Sequence, residues 1–153
     1  MALVLKTKIN PERGVPPISV DGIRLIAGKG IAGDRHQELG KRDVCILRKE
    51  VLDWMEAQSV QGLCFSRYKE NLLIEGFRDG ELTPGSRLRF RNVDLEISDF
   101  SKQCFPEKCT FAQSCSFCKL RQEYPMARIL TSGVIYPDEH VELVKDSSAA
   151  PER

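Results

Sequence analysis

The sequence has no surplus of charge of either sign. Lys and Arg number 23 and Asp and Glu number 22, so the formal net charge is +1. Since binding to a phosphate backbone needs a basic surplus on some face of a protein, this balance argues against nucleic acid as the main partner. It leaves room for local basic patches.

The sequence also lacks long hydrophobic runs. No apolar run approaches the roughly 20 residues that a membrane-spanning helix needs, so we expect no membrane partner. The start of the chain, MALVLK, is too short and too soon charged for a secretory signal peptide. We therefore expect a cytoplasmic protein, whose thiols stay reduced.

Internal repeats and long linkers are missing too. The 153 residues are enough for one domain with a core, and 41% hydrophobic with 29% charged residues is typical of a globular protein. The last residues, KDSSAAPER, are polar and small. We predict one domain over residues 1–145 and a flexible tail over residues 146–153.

Short alternating or apolar runs predict a mainly-β fold. The predicted strands cover residues 3–9, 18–26, 44–47, 71–74, 87–90, 93–97, 126–130 and 140–144. Only Arg91 and Asn92 separate two of these runs, which predicts a tight hairpin. Gly133, Pro137 and Asp138 predict a turn before the last strand.

One segment, residues 48–58, carries a helical pattern. Its apolar residues Val51, Leu52 and Met55 fall at helical spacing. A helix that packs on a barrel explains this pattern better than a cofactor-binding element does. Many short strands with Gly and Pro turns and one clear helix predict a β-barrel with helical additions.

Cysteine is concentrated in one place. Four of the six cysteines lie within fifteen residues, spaced C-x4-C-x5-C-x2-C: Cys104, Cys109, Cys115 and Cys118. The C-x2-C pair is shared by zinc sites, iron–sulfur sites and redox motifs. Lys102 precedes the cluster and would favour the thiolate form that binds metals or attacks sulfur. Inert thiols, or three disulfides in a secreted protein, are the alternatives.

The two remaining cysteines differ from this cluster. Cys45 lies in an apolar run and Cys64 stands beside Phe65. Both are predicted to be small core residues.

A glycine-bracketed segment follows the first predicted strands. It reads G-I-A-G-D-R-H and ends in Gly33, Asp34, Arg35 and His36. Glycines let backbone N–H groups approach an anion, Arg35 can bind phosphate or carboxylate with two hydrogen bonds, and His36 can titrate near neutral pH. The alternative is a polar turn in which Asp34 and Arg35 pair on the surface.

A second polar pair, Glu70 and Asn71, stands where the strand over residues 71–74 begins. Ligands commonly sit at strand ends, which makes both residues candidates for binding. The alternative is a solvated start of an ordinary strand.

Taken in this order, these segments resemble the MOSC domain, the C-terminal region of molybdenum-cofactor sulfurases. The matching segments are G-I-A-G-D-R-H (30–36), E-N-L (70–72), the hairpin over 82–97, K-Q-C (102–104) and A-R-I-L-T-S-G-V-I (127–135). The resemblance covers residues 2–144. The extra cysteines after Cys104 make the chain similar to short stand-alone members.

The resemblance implies a β-barrel that binds a pterin dithiolene cofactor of molybdenum or tungsten. It implies that Cys104 ligates the metal or carries sulfur. It also suggests cofactor-binding roles for Gly33, Asp34, Arg35, His36, Glu70, Asn71, Lys102 and Cys104. The expected partners are the pterin cofactor and proteins of cofactor biosynthesis or molybdoenzymes.

Two other functions stay open at this point. Some similar proteins reduce N-hydroxylated compounds, although Gln103 replaces the Pro that larger reductases carry before the principal cysteine. Alternatively, the four cysteines could close a zinc or iron–sulfur site on a barrel that serves only as a scaffold.

Overall fold

A computed structural model describes residues 2–12, 14–34, 43–58, 69–99 and 125–144. Within these ranges the chain forms eleven β-strands and one α-helix. Their bounds are β1 Ala2–Ile9, β2 Ile18–Val20, β3 Ile23–Ile26, β4 Gly30–Ile31, β5 Val44–Arg48, α1 Lys49–Glu56, β6 Leu72–Glu75, β7 Arg87–Arg89, β8 Asp94–Asp99, β9 Met126–Ile129, β10 Gly133–Ile135 and β11 His140–Val144.

Seven strands close into a barrel in the order β1-β11-β7-β8-β9-β5-β6 and back to β1. Strand β1 completes the closure, because it pairs with β11 through Ala2 and Leu3 and with β6 through Leu3 to Thr7. Strand β2 continues the sheet beside the last residues of β1. Strands β5 and β6 are parallel, and the other paired strands are antiparallel. The expected β-barrel is confirmed.

Alternating side chains fill the barrel interior. Val4, Ile46, Ile74, Leu88 and Leu95 are fully buried and belong to one apolar cluster. Alternation in the sequence predicted β1, β7 and β8, whereas short apolar runs predicted β5 and β6.

Helix α1 packs on the barrel as predicted. A second apolar cluster holds Val51 and Met55 of the helix against Cys45 and Leu47 of β5 and Leu73 of β6. Cys45 is therefore a buried core residue, which confirms its prediction, whereas Cys64 lies outside the described residues. No helix in the described ranges is long and apolar enough to cross a membrane.

The hairpin predicted around Arg91 and Asn92 is present. The N–H of Phe90 donates to the carbonyl of Val93 across 2.8 Å, and Leu88 pairs with Leu95 on the two strands. The turn between these strands is therefore as short as the sequence indicated.

A small second sheet, in the order β10-β3-β4, was not predicted. Residues 18–26 form two strands rather than one, since β2 pairs with β1 while β3 pairs with β10. The predicted turn before the last strand is present at Pro137 and Asp138, but Gly133 does not belong to it, because Gly133 opens β10. A Cβ there would lie 2.9 Å from the carbonyl oxygen of Asn92, so close packing explains this glycine.

The division into a domain over residues 1–145 and a tail over residues 146–153 stays a prediction. The chain beyond residue 144 lies outside the described ranges.

Candidate functional site

The two candidate segments meet in a buried polar cluster of Asn10, Asp34 and Asn71, here called the Asp34 cluster. Oδ1 of Asp34 accepts hydrogen bonds from the backbone N–H of Asn10 at 2.6 Å, from Nδ2 of Asn10 at 3.2 Å and from Nδ2 of Asn71 at 3.0 Å. Asp34 is only 4% exposed. A buried carboxylate needs such donors, so the predicted alternative of a surface pair does not describe Asp34.

Asn71 ties the start of β6 to both neighbouring strands. Its Oδ1 accepts from the N–H of Cys45 at 2.9 Å, and its Nδ2 donates to the carbonyl of Lys8 at 3.2 Å as well as to Asp34. Its backbone N–H donates to the carbonyl of Cys45 at 2.7 Å. Asn71 therefore connects β1, β5 and the segment that carries Asp34.

Glu70 stands beside this cluster and pairs with Lys8 of β1. The distance from Nζ of Lys8 to Oε2 of Glu70 is 2.7 Å, and both side chains are largely shielded from solvent. Glu70 and Asn71 are both buried, so the alternative of a solvated strand start is wrong.

Asp34 reaches the cluster through the turn that follows β4. The N–H of Asp34 donates to the carbonyl of Ile31 at 3.0 Å, which closes a tight turn over Ala32 and Gly33. Gly33 has a φ of +84°, a region that residues with a side chain rarely adopt. The glycine therefore allows the chain to turn back and bury Asp34.

Asn10 was missed in the sequence and is central in the structure. It follows β1 directly, is 1% exposed, and also donates from Nδ2 to the carbonyl of Lys69 at 3.2 Å. Its Oδ1 is buried and has no hydrogen-bond partner in the described part of the chain. The only sequence signal is a polar residue immediately after an alternating strand.

The remaining candidates lie outside the described residues. These are Arg35, His36, Lys102, Cys104, Cys109, Cys115 and Cys118. In the described ranges, no group of three or more His, Cys, Asp or Glu side chains is arranged to hold a metal ion. The predicted metal and catalytic roles of the cysteines therefore stay predictions.

A large open cleft lies elsewhere on the described structure. It has a volume of about 1130 Å³, and Ala2, Gly76, Phe90 and Tyr136 are among the residues that line it. Because β1 and β6 are antiparallel, Ala2 and Gly76 lie at the opposite ends of these strands from the Asp34 cluster. The candidate site and this cleft are separate features.

No protein-family model matches the chain, and no curated protein sequence matches it. Solved structures do. YuaD from Bacillus subtilis gives a TM-score of 0.67 at 16% identity, over 94% of this chain and 96% of that chain. YiiM from Geobacillus stearothermophilus gives 0.66 at 14% identity, over 97% and 77%, and YiiM from Escherichia coli gives 0.62 at 19% identity, over 94% and 70%.

The three structures share the overall fold of this chain. The expected mainly-β fold, a MOSC-like barrel with a helix packed on it, is confirmed in the described residues. At these identities the similarity concerns the fold.

Proposed function

We propose that this protein binds a pterin cofactor of molybdenum or tungsten and handles its sulfur or delivers it, with the thiolate of Cys104 as the principal ligand. The observation that supports this most is the Asp34 cluster. It brings together Asp34 and Asn71, which are 37 positions apart and lie in two segments that resemble motifs of MOSC domains. Proteins of cofactor biosynthesis or molybdoenzymes would be the partners.

The donors and acceptors of the described residues fit such a cofactor. The negative charge of Glu70 is paired with Lys8, and that of Asp34 is stabilised by three N–H groups, so neither is left to repel an anionic ligand. Asn71 adds a side-chain amide to these two carboxylates. Amide and carboxylate groups of this kind suit the N–H edges of a pterin.

The candidate residues have different roles in this proposal. Asp34 and Asn71 hold the two segments together, and Glu70 adds a carboxylate at the pterin edge. Gly33, Arg35, His36 and Lys102 would supply donors and positive charge for the phosphate of the cofactor.

Cys104 follows Lys102 closely in the chain, and the positive charge of Lys102 would favour the thiolate. A thiolate is a soft ligand and suits a metal already held by dithiolene sulfurs. When bound, the cofactor would supply a metal centre that can take up sulfur or change its oxidation state.

The test measures metal and pterin together in protein purified without oxygen from a host that overproduces the cofactor. We expect pterin with molybdenum or tungsten in the wild type, and its loss in Cys104→Ser. Cys45→Ala is the matched control, because it removes a buried thiol beneath α1 and should leave the cofactor content unchanged. Wild-type protein that contains no pterin and has a free, reduced Cys104 would contradict the proposal.

The same measurement distinguishes the proposed cofactor site from a zinc or iron–sulfur site, the other function that the cysteine spacing supports. Zinc or iron without pterin, retained in Cys104→Ser, would favour a metal module built around Cys109, Cys115 and Cys118. Reduction of a hydroxylamine-type compound by cofactor-loaded protein with an artificial electron donor would instead identify a reductase.

A further inference from the structure

The side-chain amide of Asn10 contacts both candidate segments, although Asn10 belongs to neither of them. Nδ2 donates to Oδ1 of Asp34 in the turn after β4 and to the carbonyl of Lys69 just before β6, both at 3.2 Å. Its backbone N–H adds a third bond, again to Asp34 Oδ1, at 2.6 Å. The end of β1 thus adds a second link between the two segments, beside the direct hydrogen bond from Nδ2 of Asn71 to Oδ1 of Asp34.

These contacts have an energetic cost for the Asn10 side chain. Its Oδ1 is buried without a partner in the described structure, and such groups are rare because they have lost their hydrogen bonds to water. Local departures of this kind are expected at functional sites rather than in a core selected for stability alone. The unpaired oxygen is therefore consistent with a side chain whose role is to hold the two segments in position relative to each other.

We propose that Asn10 is a positioning residue, which holds the Asp34 turn and the Lys69–Asn71 segment in one fixed arrangement so that both contact the same ligand. This inference rests on the proposed cofactor site and adds to it a residue that no motif indicates. Asn10 acts through Asp34 and Lys69.

Strand β1 also offers a matched control, Thr7. It is as deeply buried as Asn10, and its Oγ1 donates to the carbonyl of Val20 in β2 at 2.6 Å. Replacing Thr7 therefore removes a partly buried hydrogen bond close to Asn10 in the chain, but one that connects β1 to β2.

The first readout needs no cofactor. Amide hydrogen exchange is measured at Asp34 and Asn71, whose N–H groups are bonded to Ile31 and Cys45. In Asn10→Ala we expect exchange at both amides to rise together by about tenfold, relative to barrel amides in β8. In Thr7→Val both should keep the protection of the wild type. Unchanged exchange in Asn10→Ala, or an equal rise in Thr7→Val, would overturn the proposal.

The second readout is pterin content per chain after purification from the cofactor-overproducing host, at temperatures where each variant is equally folded. Asn10→Ala should lose about nine-tenths of the pterin, and Thr7→Val should retain it. Equal retention in both variants would reject the positioning role. If even the wild type holds no pterin, the proposed function fails, while the exchange result still decides whether Asn10 joins the segments.

A milder variant covers the case in which Asn10→Ala does not fold. Asn10→Ser keeps the backbone N–H and a short hydroxyl for Asp34 but cannot also reach Lys69. We expect faster exchange at Asn71 with Asp34 unchanged. An equal change in exchange rate at the Asp34 and Asn71 amides of Asn10→Ser would contradict a link between the two segments through the Asn10 side chain.

Discussion

Asn71 donates a hydrogen bond from Nδ2 to Oδ1 of Asp34 across 3.0 Å in the buried part of the barrel end. Oδ1 of the same Asn71 side chain accepts a hydrogen bond from the backbone N–H of Cys45 on β5. One side chain therefore links the start of a central barrel strand to the turn that carries the glycine motif. Because these contacts are shielded from water, a substitution at either residue should disturb the structure of both segments.

Removal of the charge of Asp34 should weaken the cluster. Asp34→Asn keeps the shape of the side chain but replaces a carboxylate that accepts three hydrogen bonds with a neutral amide. We expect a loss of about 1–3 kcal/mol in the free energy of unfolding, measured by urea denaturation.

Asp94→Asn is the control for this change, since Asp94 lies at the surface 3.7 Å from Arg89. It should alter stability by less than about 0.5 kcal/mol. Equal small effects of the two variants would show that the charge of Asp34 contributes little to folding.

The pair of Lys8 and Glu70 should show measurable coupling. We expect a double-mutant cycle with Lys8→Met and Glu70→Gln to give an interaction energy of about 1 kcal/mol, because the pair is short and largely shielded from solvent. The exposed pair of Arg89 and Asp94 should give less than about 0.5 kcal/mol in the same measurement. A coupling at Lys8 and Glu70 no larger than this would mean that burial adds nothing to the pair.

Two glycines with similar backbone geometry separate strain from function. Gly33→Ala and Gly28→Ala each place a side chain at a positive φ, +84° and +80°, and each should cost about 1 kcal/mol of stability. Only Gly33 lies in the candidate cofactor segment. We expect pterin content to fall in Gly33→Ala and to stay at the wild-type level in Gly28→Ala. Loss of pterin in Gly28→Ala, with wild-type content in Gly33→Ala, would argue against a role for the Asp34 turn.

Much of the fold could be predicted because its signals are local. The alternation in β8 and the helical spacing of Val51 and Met55 follow from which side of each element faces the core, and both predictions were confirmed. Strand β4 has only two residues, and β10 begins at a glycine, so neither carries a pattern long enough to detect. These strands exist because β3 is available to pair with both.

The candidate site divides in the same way. Asp34, Glu70 and Asn71 were identified from short motifs, and the structure brings these three to one barrel end. Asn10 and Lys8 were not, because a polar residue at the end of a strand has no distinctive neighbours in the sequence. Their importance comes from hydrogen bonds that span between 24 and 63 positions of the chain.

By itself, the sequence determined the longer strands and the helix, the buried thiol at Cys45 and the motifs that resemble those of a MOSC domain, since each depends on residues that are close in the chain. Only the tertiary structure decided how β1 closes the barrel, that the charge of Asp34 is buried, and that Asn10 joins two distant segments. The physical reason is that closure and burial depend on which strands pair, and that pairing depends on the packing of the whole chain.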